Sequence, residues 1–179
     1  MPELIERAAA FAKNAHDAVG HRRKYTGEPY WAHLEAVASS VAAVGGTPPM
    51  IAAAWLHDVV EDTPVTHNEL VDEFALEVAA LVCQLTDVSR PEDGNRAHRK
   101  ALDRAHIAKA SDDAKTIKLA DLIDNAESIL THDQRFAEVY LDEMAALLRE
   151  LKGGHPTLYT RAQALVTDWQ AHATRETTT

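Results

Sequence analysis

Apolar residues along this chain recur at spacings of three and four and seldom alternate, so the pattern predicts helix nearly throughout. Leu4, Ala8, Phe11 and Ala15 line one face of a first helix over about residues 2–19, which Gly20 stops. After the loop HRRKYTGE, Pro29 suits the first turn of a second helix that runs to the Gly45-Gly46 stop. Thr47 and Pro48-Pro49 open a third, closed near Thr63-Pro64. Thr66, with Glu69 three residues on, predicts a capping box for a helix reaching about Leu85. The polar stretch DVSRPEDGN is the expected mobile loop, and helices over about 96–110, 111–130, 134–151 and 156–173 follow it. The terminal TRETTT is expected to fray. The expectation is an all-α fold, a single compact domain of about eight or more helices over residues 1–175, with 176–179 as a frayed tail.

Composition narrows the function. Apolar residues make up 46% of the 179 and charged residues 26%, as in ordinary globular chains. The net charge of −10 argues against nucleic-acid binding, which needs a basic face to displace counterions from phosphates. No apolar run is long enough for a membrane span, and MPELIERAAAF lacks a signal-peptide profile. One cysteine, Cys83, excludes an internal disulfide framework and suits a reducing, cytoplasmic setting; on an apolar helix face it is expected in the core. Two basic clusters, HRRK at 21–24 and NRAHRK at 95–100, stand out in this acidic chain. They matter if something anionic must be held nearby.

The apolar pattern is broken where chemistry is most expected. His33 falls in register with Val37, Val41 and Val44, on a core-facing stripe. The third helix, MIAAAWLHDVV, is apolar nearly all round, yet carries His57 and Asp58. Asp121 shares its face with Ile117 and Asn125 in TIKLADLIDNAES. Singly, Asp58 could be an ion-pair partner and His33 a core histidine bonded to a carbonyl. Burying an unpaired carboxylate costs several kcal/mol, on the order of the penalty for a desolvated ion, so four such groups on three inward faces favour a divalent cation. Mixed nitrogen and oxygen ligands are compatible with manganese, iron, zinc or magnesium. Glu61 and Asp62, one turn beyond His57 and Asp58, stand where they could orient or deprotonate a water near that cation. Nearly all of the other histidines are expected on the surface; His16 and His21, near the basic loop, could neighbour the pocket.

The blocks RKYTGEPYWAH, LHDVVEDT and KLADLIDN, in this order, resemble the HD-domain phosphohydrolases. More narrowly, they are similar to the hydrolase module of the RelA/SpoT alarmone enzymes and their small stand-alone homologues. The resemblance runs from about Phe11 to Tyr140, and no synthetase or regulatory domain fits in what remains, so the stand-alone class is expected. It implies that His33, His57, Asp58 and Asp121 hold one metal, usually Mn2+, while Glu61 and Asp62 position and activate the attacking water. It implies nucleotide contacts at Arg23, Lys24 and Asn125, and more loosely at Tyr140 and Arg96. The implied activity is removal of the 3′-pyrophosphate of (p)ppGpp, a small-molecule substrate, giving GDP or GTP.

Three departures bear on the substrate. Leu34 replaces a usual proline, Glu127 stands where the pattern NxR has a cation, and GNRAHRK differs from the common sequence. These leave the metal chemistry intact and keep an alternative open: an HD-type phosphatase acting on another nucleotide or a dinucleotide phosphate monoester, such as an NADPH-like or 3′-phosphate nucleotide. A non-catalytic binding module is disfavoured by the complete ligand set and the intact Glu61-Asp62 pair.

Overall fold

The computed structural model describes residues 2–176. Among the described residues the chain forms nine α-helices, one short 3-10 turn at Pro91–Asp93 and no strand. The helices are α1 (Pro2–Ala18), α2 (Trp31–Ala43), α3 (Pro48–Leu56), α4 (Val59–Asp62), α5 (His67–Leu85), α6 (Arg96–Ile107), α7 (Asp112–His132), α8 (Gln134–Leu148) and α9 (Pro156–Glu176). The expected all-α architecture is therefore observed. None of these helices is long and apolar enough to cross a membrane.

Local chemistry explains most boundaries. The Thr66 hydroxyl accepts from the Glu69 amide at 3.3 Å, and the Glu69 carboxylate accepts from the Thr66 amide at 2.7 Å, so the capping box of α5 is formed. Asn95 and Ser111 cap α6 and α7 in the same way. Pro29 does not start α2; it pairs with Arg22 in an isolated antiparallel bridge, and the helix begins at Trp31. The helix expected to run from 47 to 63 is broken at His57 and Asp58. The Ala54 carbonyl, which the amide of residue 58 takes in an unbroken helix, accepts instead from His57 Nδ1 at 2.8 Å. Asp58 leaves the helical track at φ −99°, ψ −2° and α4 starts afresh after it.

The apolar α3 lies at the centre, packed against α1, α2 and α5, while α7 crosses α2, α8 and α9. Ala52, Ala53, Ala54 and Leu56 are fully buried there, with Leu34, Val37, Ile117 and Leu119 around them. The alanines let neighbouring backbones approach closely, which brings the ends of α2 and α3 and the middle of α7 to one place. Leu34 is a fully buried core residue beside the buried His33.

Three expectations are corrected. Cys83 lies on the exposed side of α5, because that helix turns Val78, Ala79, Leu81, Val82 and Leu85 inward to the core. The loop before α6 is anchored: the buried Asp103 carboxylate accepts from the amides of Val88 (3.0 Å) and Ser89 (2.9 Å) and from the Ser89 hydroxyl (2.8 Å). Helix α9 runs to Glu176, three residues past the expected end near 173; residues 177–179 of the expected frayed tail lie outside those described.

Candidate metal centre

The break between α3 and α4 turns His57 and Asp58 toward the start of α2 and the middle of α7. His33 Nε2 lies 3.2 Å from Asp121 Oδ1 and 3.7 Å from Asp58 Oδ2. His57 Nε2 lies 3.2 Å from Asp58 Oδ2 and 3.6 Å from Asp121 Oδ1. Both imidazoles are buried, and neither Nε2 has a hydrogen-bond partner despite these nearby oxygens. Donor atoms that crowd together without bonding to one another are aimed at a common point between them.

The other ring nitrogens are committed, which fixes each tautomer. His57 Nδ1 donates to the Ala54 carbonyl, leaving a lone pair on Nε2. His33 Nδ1 donates to Asp124 Oδ2 at 2.6 Å, and that oxygen also accepts from Arg23 Nη2 at 2.8 Å. This carboxylate–histidine arrangement is the usual support of a metal-ligating imidazole. Two lone-pair nitrogens and two carboxylates, with outer groups holding the rings, fit a divalent cation. His33, His57 and Asp58 each offer a ligand atom within 4.8 Å of one another, and Asp121 Oδ1 stands 3.2 and 3.6 Å from the two Nε2 atoms.

Electrostatics agree with the geometry. Burial opposes ionisation of Asp121, but Lys118, 2.8 Å from its Oδ2, and the two histidines hold its carboxyl well below the ordinary range. Burial likewise opposes charge on Asp58, and His57 overcomes it and pulls its pKa down. Burial disfavours charge on His33 and His57 as well, yet the surrounding carboxylates hold both above the ordinary histidine value. The pocket thus attracts positive charge strongly, whether protons or a metal ion. Tyr30 donates to Asp58 Oδ2 at 2.6 Å and Asn125 Nδ2 to Asp121 Oδ1 at 2.6 Å.

Glu61 and Asp62 follow on α4 and stay accessible to solvent. Glu61 Oε1 accepts from the Asp87 amide at 2.7 Å. Crowding of its carboxyl by protein, then the charges of Asp58 and Asp87, push it up to about 7. Burial and Asp58 also raise Asp62, which lies beside His21. Three hollows adjoin these residues. One of about 200 Å3 is bordered by Arg96, Lys100, Lys118, Asp121, Asn125 and Tyr140. A second, of about 460 Å3, runs from Glu61 to Arg96, Arg99 and Lys100. A third, of about 190 Å3, is bordered by Arg23, Lys24, Tyr30, His33 and Asn125. Asn125 therefore stands between the first and the third.

The basic residues are less free than their sequence clusters suggest. Arg23 is held by Asp124, and Arg96 makes a bidentate pair with Glu143 at 2.7 and 2.8 Å. Lys24 is exposed beside Asp133. Tyr140 lines the first hollow, where burial and then Asp121 raise its hydroxyl pKa. Glu127 borders none of the three hollows and is paired with Arg161 of α9 at 2.6 Å, so its charge is met outside them. Sequence reasoning missed Asp124, Lys118 and Tyr30, although the spacing Lys118, Asp121, Asn125 does set three polar groups on one helical face. His16, which could neighbour the pocket by its place in the sequence, is completely buried; burial first, and the neighbouring imidazoles of His21 and His57, push its pKa down to about 4.

Comparison with known proteins gives consistent relatives. A family profile described as HD domain matches residues 8–147. A Synechocystis protein named as a probable guanosine-3′,5′-bis(diphosphate) 3′-pyrophosphohydrolase is 37% identical over 129 residues, covering 70% of this chain and 17% of that protein. The Aquifex aeolicus guanosine-3′,5′-bis(diphosphate) 3′-pyrophosphohydrolase is 35% identical over 129 residues, covering 71% of this chain and 18% of that protein. The chain thus spans less than a fifth of the length of these curated relatives. A solved structure described as a metazoan ortholog of SpoT that hydrolyzes ppGpp superposes with a TM-score of 0.83. It is 26% identical, with 92% of this chain and 94% of that chain covered.

Proposed function

The chain belongs to the HD domain family, and from that premise we propose that it is a metal-dependent 3′-pyrophosphohydrolase acting on (p)ppGpp. The observation that carries the reading is the convergence of His33, His57, Asp58 and Asp121, with both Nε2 atoms unpartnered. These four would hold the cation, and manganese suits their even mix of imidazole and carboxylate. A divalent cation there lowers the pKa of a coordinated water and offsets the charge of a phosphoryl group.

The protein's own residues supply the rest. Water adds to the phosphorus attached to the ribose 3′-oxygen, the 3′-O–P bond breaks, and the 3′-oxygen takes up a proton. The products are GDP or GTP and pyrophosphate. Glu61 accepts the proton of the attacking water, its carboxyl having a pKa near neutrality as a base of this kind requires. Asp62, on the same short helix, orients that water. Asp124 and Arg23 hold the His33 ring, and Arg23 and Lys24 border the hollow that receives the nucleotide. Asn125, between two hollows, spans the space from the ligand Asp121 to the substrate. Tyr140 and Arg96 close the far side of the first hollow, and Lys100 adds positive charge where an anionic substrate needs it. One domain over residues 1–175 and a cytoplasmic setting complete the reading; the latter suits a single unpaired cysteine.

The test is to incubate the purified protein with ppGpp and manganese and to separate the products by chromatography. GDP and pyrophosphate in equal amounts are expected. Release of orthophosphate, or no turnover with the metal supplied, overturns the proposal.

A further inference from the structure

The segment HDAVGH closes α1 with a turn that returns the chain on itself. Gly20, at φ 65°, donates its amide to the Asp17 carbonyl at 3.0 Å, and His21 donates its amide to the His16 carbonyl at 3.0 Å. This is the Schellman pattern, in which the two residues bracketing the turn usually make an apolar contact. Here both are histidines, and their Nδ1 atoms face each other at 3.1 Å. His16 is completely buried and its Nε2 has no partner. One imidazole donates to the other across the two Nδ1 atoms in the metal-free protein, and the same atoms are placed to converge on a cation, while His16 Nε2 stays unsatisfied.

A third donor stands beside them. Asp62 Oδ2 lies 3.9 Å from His21 Nδ1, and the three side chains offer ligand atoms within 4.8 Å of one another. The His21 ring is fixed by stacking on Tyr30, with centroids 3.8 Å apart and planes 9° from parallel, and its carbonyl accepts from the Tyr30 amide at 3.1 Å. A tetrahedral ion with bonds of about 2.0–2.1 Å sets its ligands about 3.3 Å apart. The observed 3.1 and 3.9 Å bracket that spacing, and the third pair, His16 and Asp62, lies within 4.8 Å.

We propose that His16, His21 and Asp62 form a second cation site, distinct from the His33, His57, Asp58 and Asp121 centre, for a divalent transition metal of the zinc class. Two imidazoles and one carboxylate favour zinc and its neighbours over magnesium or calcium. His21 and Asp62 are partly exposed, at 29% and 35%, and give the ion a path from solvent while His16 forms the floor. Three protein ligands leave one position for water. Asp62 thus serves both the reaction at the first centre and the ligation of the second.

The experiment is zinc binding by the full chain, equilibrated against a zinc buffer and measured by elemental analysis. Wild type is expected to hold two ions per chain, and His21→Leu one. His21→Leu supplies the apolar side chain common in this turn, so it leaves the fold intact, as circular dichroism and thermal unfolding check. A folded His21→Leu protein that holds as many ions as wild type, whether one or two, overturns the proposal. Activity on ppGpp is not the readout, so failure of this site and failure of the proposed reaction remain distinguishable.

Discussion

The support of His33 by Asp124 is open to a sharp test. Asp124→Asn keeps the shape of the side chain but removes the charge from an oxygen that lies 2.6 Å from His33 Nδ1 and 2.8 Å from Arg23 Nη2. Without that charge the imidazole is a weaker base, and the one amide oxygen must serve two donors. Loss of such outer support typically weakens metal binding by about 10–100-fold, or roughly 1.4–2.8 kcal/mol. The expected result is a manganese dissociation constant raised by at least about tenfold. Electron paramagnetic resonance of free Mn2+ in a titration gives the value directly, and Glu127→Gln on the same helix, whose carboxylate pairs with Arg161 and touches neither His33 nor Arg23, is the unchanged control. Arg23 loses its partner too, so the melting temperature falls, and the titration belongs well below it. A folded Asp124→Asn protein that binds manganese within about twofold of wild type refutes the reasoning, because the effect of outer partners is expected to be larger.

Other consequences can be checked separately. Glu61→Gln should keep its manganese and lose turnover by about 100-fold or more, in line with removal of a general base. Because Glu61 acts ionised and its carboxyl is pushed up to about 7, the wild-type rate should rise with pH toward a plateau above that value. A bound cation draws this limb lower; the limb should vanish in Glu61→Gln, and its persistence there would assign it to another group. Asp103→Ala should speed hydrogen exchange at the Val88 and Ser89 amides by on the order of tenfold or more, since each loses its acceptor. Thr66→Ala should cost about 1 kcal/mol in urea unfolding through loss of the α5 cap.

What the sequence made legible follows from local rules. The helix starts at Thr66, Asn95 and Ser111 are cap chemistry, which acts within a few residues and so survives without tertiary context. The inward direction of His33 and Asp121 follows from helical periodicity against apolar neighbours. The break at His57 and Asp58 was hidden, because it depends on a side-chain bond to the Ala54 carbonyl within an apolar run that reads as continuous helix. Partners distant in the chain were hidden as well. Nothing near Arg23 announces Asp124, nothing near Glu127 announces Arg161, and the Arg96–Glu143 pair joins two helices. His16 reads as a polar residue near a helix end, and the return of the chain at Gly20 and the Tyr30 ring, both beyond the helix, stand against it.

The account rests on one claim, that His33, His57, Asp58 and Asp121 together hold the cation. Crystals of the manganese-loaded protein, measured on both sides of the manganese absorption edge, test it most directly. The prediction is one anomalous peak within bonding distance, about 2.0–2.3 Å, of His33 Nε2, His57 Nε2 and an oxygen of each aspartate. No peak at that position, or ligation that leaves out either histidine, contradicts it.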